Sequence, residues 1–140
     1  MKILVPVDGS DTSSRALKHA HDLAKQFAKP AKVFVVAVDD ALFPGVERKI
    51  GAEAARQHHA DNFGRMLGPA RKALARSKAD CSYVEVVGDI ADGILSTIGK
   101  QKIDLVVMGS RGNGAIKGAL LGSVSMKVLA NSPVPVTIVR

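Results

Sequence analysis

The sequence predicts an α/β fold: a doubly wound, five-stranded parallel sheet of order 3-2-1-4-5 with helices on both faces, in a single domain over residues 1–140. Short runs of branched aliphatic residues alternate with stretches of helical periodicity, which calls for parallel strands joined by helical crossovers. Hydrophobic residues make up 46% of the chain but aromatics only 4%, so the core must be built from Val, Ile, Leu and Ala. That is the composition of strands buried on both faces. A chain of 140 residues can bury one real core and leaves little room for a second.

The strands are expected at residues 3–7, 33–38, 83–87, 105–108 and 134–139. Pro6 falls near the C-terminal end of the first, where pairing is already failing. Pro135 falls inside the last, which places that strand at an edge where a missing N–H does no harm. The first helical stretch puts Ala16, Leu17, Ala20, Leu23, Ala24 and Phe27 on one face, with Ser10 as its N-cap. The second, residues 51–77, carries Phe63, Met66, Leu67, Ala70 and Leu74 in register; Gly68-Pro69 predicts a kink there, because the apolar stripe continues beyond it. The third sets Ile90, Ile94, Leu95 and Ile98 behind an Asp89 cap, and the fourth covers residues 123–130. Residues 39–50 are polar and marked by Pro and Gly, and read as a connection open to partial disorder.

The formal charge of +7 fits either nucleic acid or small anionic ligands. The basic residues are spread over helix ends and polar helix faces, and few aromatics are available to stack on bases, so nucleic-acid binding is disfavoured. A lone Cys81 forms no internal disulfide, and no Cys/His spacing resembles a zinc site. The opening residues are interrupted too soon for a signal peptide, and no apolar run approaches membrane-spanning length. A soluble, cytoplasmic protein is expected.

Ligands of parallel sheets bind at the carboxyl ends of strands, where strand order reverses. In the order 3-2-1-4-5, strands one and four flank that reversal, and the loops after them are the two unusual ones. Asp8-Gly9-Ser10 follows strand one; the glycine-rich segment from Gly109 to Ser125 follows strand four. Glycines let backbone N–H groups approach an anion closely. Gly122-Ser123 opens the fourth helical stretch, whose free N–H groups and positive dipole end favour phosphate. Ser123 and Ser125 add hydroxyl donors, and Arg111 and Lys117 are either further charge or solvated. The competing reading is a glycine-rich connection with Ser123 as an ordinary N-cap, but capping does not explain four glycines in the preceding loop. No G-x-x-x-x-G-K-[ST] occurs, and the dinucleotide pattern begun by Gly112-Asn113-Gly114 fails at its last glycine.

The spacing Gly109, two residues, Gly112, nine residues, Gly122-Ser123 resembles the G-x2-G-x9-G-[ST] signature of the ATP-binding branch of the universal stress protein family. The resemblance extends over the chain: residues 3–10 look like that family's opening strand and turn. Gly88-Asp89, residues 104–109 and residues 132–136 fit it as well. It implies a Rossmann-like fold and ATP as ligand, with Mg²⁺ accompanying it through phosphates and water rather than a protein cage. By the same resemblance Asp8 accepts hydrogen bonds from the ribose hydroxyls; its alternative role is helping to cap the first helix. Backbone groups of Val38 meet the adenine edge, and Pro6, Val7 and Met108 pack nearby. Gly109 and Gly112 pass close to the ribose and α-phosphate, while Gly122, Ser123, Val124 and Ser125 hold the outer phosphates. Family members also resemble one another in dimerising through the last strand. Here Val134, Val136 and Ile138 alternate with Pro135, Thr137 and Val139, leaving an apolar edge without a charge before Arg140.

No catalytic set is legible. His19 and His21 do not share a helix face, His58 and His59 are adjacent, and both pairs read as solvated. Ser10 has Asp8 and Asp11 nearby, but no His-based triad can be assembled. The expectation is a stress-response protein whose ATP-bound and empty states differ in assembly or partner binding, not primarily an enzyme. The alternative is a slow ATPase or phosphotransferase using the same site.

Overall fold

A computed structural model describes residues 1–114 and 120–140. In chain order it holds β1 (Lys2–Pro6), α1 (Asp11–Ala24), β2 (Lys32–Asp39), α2 (Val46–Ile50), α3 (Ala52–Leu74), β3 (Cys81–Val87), α4 (Ile90–Gln101), β4 (Leu105–Gly109), α5 (Ser123–Asn131) and β5 (Val136–Val139). The strands form one sheet in the order β3-β2-β1-β4-β5. Every neighbouring pair is parallel, with Ile3 opposite Val33 and Leu105, and Val106 opposite Val136.

Strand alternation divides the interior into two cores. Ile3, Val5, Val33, Val35 and Val107 point to the face covered by α1 and α3, meeting Ala16, Leu17, Phe63 and Leu67. Leu4, Phe34, Val36, Val106 and Met108 point to the other face, meeting Ile94 and Ile98 of α4 and Val128 of α5. Ile3, Leu4 and Val5 are each fully buried, as a strand sandwiched between helix layers requires.

The local signals explain most element boundaries. Ser10 caps α1, its Oγ accepting from the Ser13 N–H at 3.2 Å. Asp89 caps α4 by accepting from the Asp92 N–H at 2.9 Å. β1 stops at Pro6, which stands opposite Val36. Pro135 lies just ahead of β5 rather than within it, and its carbonyl accepts from the Val106 N–H at 3.0 Å. The edge position expected for that strand holds, but the proline takes no donor from it.

Two expectations need correction. The connection at residues 39–50 contains α2, a five-residue helix with no buried side chain. Gly51, at φ 86°, separates α2 from α3, a left-handed turn that favours glycine. The second long helix ends at Leu74, the last residue of its apolar stripe and three residues before the expected end at 77, and the chain turns there with the Ser77 N–H donating to the Leu74 carbonyl at 2.9 Å. It does run unbroken through Gly68-Pro69.

Candidate functional site

A cleft of about 560 Å³ opens at the carboxyl ends of β1, β2 and β4. All twelve residues singled out from the sequence line it: Pro6, Val7, Asp8, Val38, Met108, Gly109, Arg111, Gly112, Gly122, Ser123, Val124 and Ser125. They come from four separate parts of the chain, so their convergence follows from the strand order. Lys117 lies outside the described residues.

Asp8 holds the two loops of the cleft together. Its Oδ1 accepts from the Ser10 N–H at 2.9 Å and its Oδ2 from the Asn113 N–H, also at 2.9 Å. Asn113 Nδ2 in turn donates to the Asp8 carbonyl at 2.9 Å. Burial pushes the Asp8 carboxyl up, but hydrogen bonds from Ser10, the Asn113 backbone and Ser13 outweigh it and leave the pKa below the ordinary carboxylate value. Ser10, not Asp8, is the N-cap of α1. Asp8 supports that cap by accepting from the Ser10 N–H, so its alternative role as a helper of the cap stands beside its place in the cleft.

The three signature glycines have different local reasons. A Cβ on Gly112 would lie 2.5 Å from Asp8 Oδ2, so a side chain there would push the carboxylate from Asn113. A Cβ on Gly109 would lie 2.8 Å from Thr12 Cγ2, because the first turn of α1 packs onto the end of β4. Gly122 has no such need: its nearest described neighbour, Arg111 Cα, is an ordinary 3.6 Å away, and its backbone is extended at φ −79°. Among the described residues there is room for a side chain at Gly122.

The N-terminus of α5 faces this space. Gly122, not Ser123, is the N-cap, and among the described residues no side chain accepts a hydrogen bond there. Ser123 is instead the first helical residue, with its side chain exposed, so the competing reading of Ser123 as an N-cap does not hold. Helix first turns leave backbone N–H groups without intrahelical partners, and their summed dipole favours an anion. Ser125 behaves differently from Ser123. It is buried, and its hydroxyl donates to the Gly109 carbonyl at 3.0 Å, which corrects its expected place as a free hydroxyl donor.

The other end of the cleft was less legible in the sequence. Asn62, Arg65 and Met66 of α3 line it, as do Ile90 and Ile94 of α4 and the Asp39-Asp40 pair after Val38. The helical period of α3 marks its apolar stripe but not which turn reaches the sheet's carboxyl edge; only the tertiary packing does that. Asp39 Oδ2 meets His59 Nδ1 at 2.6 Å and accepts from Asn62 Nδ2 at 2.9 Å. His59 is therefore anchored in the fold, against the expectation that both histidine pairs are solvated. His21 is likewise engaged, with Nε2 and Ser77 Oγ 2.6 Å apart, whereas His19 and His58 are exposed. Among the described residues no helix is long and apolar enough to cross a membrane.

Comparison with known proteins agrees with this architecture. The sequence model of the universal stress protein family matches residues 1–140. A universal stress protein of Methanocaldococcus jannaschii, MJ0531, is 32% identical over 140 residues, covering 99% of this chain and 81% of its own. The solved structure of MJ0577, from the same organism, superposes with a TM-score of 0.83 at 28% identity, covering 99% of this chain and 94% of its own. A universal stress protein solved in complex with cAMP superposes with a TM-score of 0.71 at 25% identity, covering 100% of this chain and 97% of its own.

Proposed function

The chain belongs to the universal stress protein family, and from that premise we propose that it binds ATP in the cleft between β1 and β4 and that its bound and empty states differ in assembly or partner binding. The observation that carries this reading is the mouth of α5. A helix N-terminus that no described side chain caps opens into the cleft, beside a glycine that no described neighbour requires. Such a position suits an anion approached by backbone N–H groups. The related structure with cAMP supports an adenine nucleotide as the occupant.

In this reading the nucleotide lies along the cleft with its base toward Val38, Pro6, Val7 and Met108, all of which line it. Asp8 keeps lone pairs beyond the two that Ser10 and Asn113 use, and these accept from the ribose hydroxyls. Gly109 and Gly112 let the backbone pass the ribose and α-phosphate. The outer phosphates meet the N–H groups of Gly122, Ser123, Val124 and Ser125, the Ser123 hydroxyl and Arg111. Ser125 contributes its backbone rather than its hydroxyl, and Mg²⁺ travels with the phosphates. Among the described residues that line the cleft there is no histidine, and His59 stands behind Asp39 at its edge.

The test is Gly122→Val. Its extended backbone accepts a β-branched residue, so circular dichroism and Tm should match the parent. Calorimetry with Mg²⁺-ATP should show lost affinity, and denaturing freshly purified parent protein should release ATP. A variant that binds ATP as tightly as the parent would place the site elsewhere. ADP accumulating on a minutes timescale would favour the slow ATPase.

A further inference from the structure

We propose that Asp39, His58 and His59 form a binding site for a divalent first-row transition ion at the mouth of the cleft, opposite the α5 end. Asp39 ends β2, while the two histidines stand side by side on α3. Their ligand atoms all lie within 4.8 Å of one another.

The side chains are already oriented toward a common point. Arg65 donates to Asn62 Oδ1, which fixes that amide so that its Nδ2 faces the cluster. Asn62 Nδ2 then stands 2.9 Å from Asp39 Oδ2 and 3.2 Å from His58 Nε2. Since the amide nitrogen can only donate, His58 directs the Nε2 lone pair inward. His59 Nδ1 is 2.6 Å from the same Asp39 oxygen, so an imidazole N–H there occupies the position a cation would take. Metal entry replaces that proton, which leaves to solvent, and the amide contact to His58.

The geometry needs little adjustment. Bonds of about 2.0–2.2 Å to nitrogen and oxygen place two ligands of a tetrahedral ion roughly 3.3 Å apart. The His58 ring is exposed and free to close the remaining gap, and the two ring centroids are 5.4 Å apart. Two imidazoles and one carboxylate select Zn²⁺, Co²⁺, Ni²⁺ or Cu²⁺ over Mg²⁺ and Ca²⁺. Asn62 stays on Asp39 as the outer hydrogen bond that orients a ligating carboxylate. Asp39 and Asn62 both line the cleft, so the remaining coordination positions open toward it.

The experiment uses untagged, nucleotide-free full-length protein, so its outcome does not depend on ATP binding. Zn²⁺ titrated by calorimetry should bind with one ion per chain, and Co²⁺ should give a d–d absorption band that Zn²⁺ bleaches. His58→Ala leaves the apo Tm unchanged, because the ring is exposed, and should weaken Zn²⁺ by at least about tenfold. Asp39→Asn should abolish both signals, and Cys81→Ser should change neither. Loss of binding with Cys81→Ser, unchanged affinity in His58→Ala, or no binding by the parent overturns the proposal. If Asp39→Asn fails to fold, His58→Ala decides alone.

Discussion

Asp8 is held in place without any ligand, with one oxygen on its own loop and the other on Asn113 across the cleft. Its carboxyl lies below its ordinary value, so the folded state favours the ionised form more than the unfolded chain does. The resulting stability is fully present above the unfolded value of 3.8 and is lost as pH falls through the lower folded value. The difference in Tm between the parent and Asp8→Asn should therefore be constant near neutrality and shrink in acid. A difference that grows as pH falls would contradict the clasp. The two serines of α5 separate in the same way. In the proposed ATP pose Ser123 meets only phosphates that AMP lacks, so Ser123→Ala should narrow the ATP/AMP affinity ratio at unchanged Tm. Ser125→Ala strips the buried Gly109 carbonyl of a donor and should cost about 1 kcal/mol of stability. Unfolding curves and titrations of both nucleotides into each variant measure the two effects independently.

At the scale of elements, what could be read in advance was what depends on nearby sequence. Branched aliphatic runs marked all five strands, and Ser10 and Asp89 marked helix starts through hydroxyl and carboxylate caps. The glycine spacing marked the β4–α5 loop, whose ends at Gly109 and Gly122 converge on one cleft. Features set by packing between distant segments were not legible. Asn113 looked like one more loop residue, yet it bridges to Asp8 across the sheet. Nothing in the α3 period distinguishes His59 and Asn62 from the solvated residues around them, because Asp39 reaches them only through the placement of β2. The short α2 was missed since it buries nothing and so carries no apolar pattern. The cap of α1 offers a check at this scale. Ser10→Ala should lower stability by about 1 kcal/mol, whereas Ser10→Gly should cost only a few tenths. Equal losses from the two would mean that Ser10 acts through something other than its cap.

For the molecule as a whole, the sheet presents two edges of unlike character. β3 alternates half-buried with exposed positions, and its exposed Glu85 pairs with Arg71 from α3 at 3.2 Å. A charged side chain on an edge discourages pairing with another chain. β5 carries no charge: Val136, Thr137, Ile138 and Val139 are all half-buried and uncharged, and among the described residues β4 is its one partner in the sheet. A second copy meeting this edge would cover the apolar strand and satisfy its outer N–H and C=O groups. The positions of β5 differ in what they pack against, which ranks them for a test. Val136 and Ile138 pack against the α4–α5 side and Val139 against the α1–α3 side, and strand alternation puts half-buried Thr137, opposite Val107, on the same face as Val139. Thr137→Lys should place a charge on this edge strand and, because it replaces a polar side chain, lower Tm less than a lysine at an apolar position of the strand does. Light scattering should then shift from the mass of a dimer toward that of a monomer, and Val136→Lys should do the same with an added loss of stability. A parent that is monomeric at high concentration, or a Thr137→Lys variant with unchanged mass, would remove β5 as the interface and direct attention to a helix face, with exposed Met126 and Leu129 of α5 the first residues to substitute.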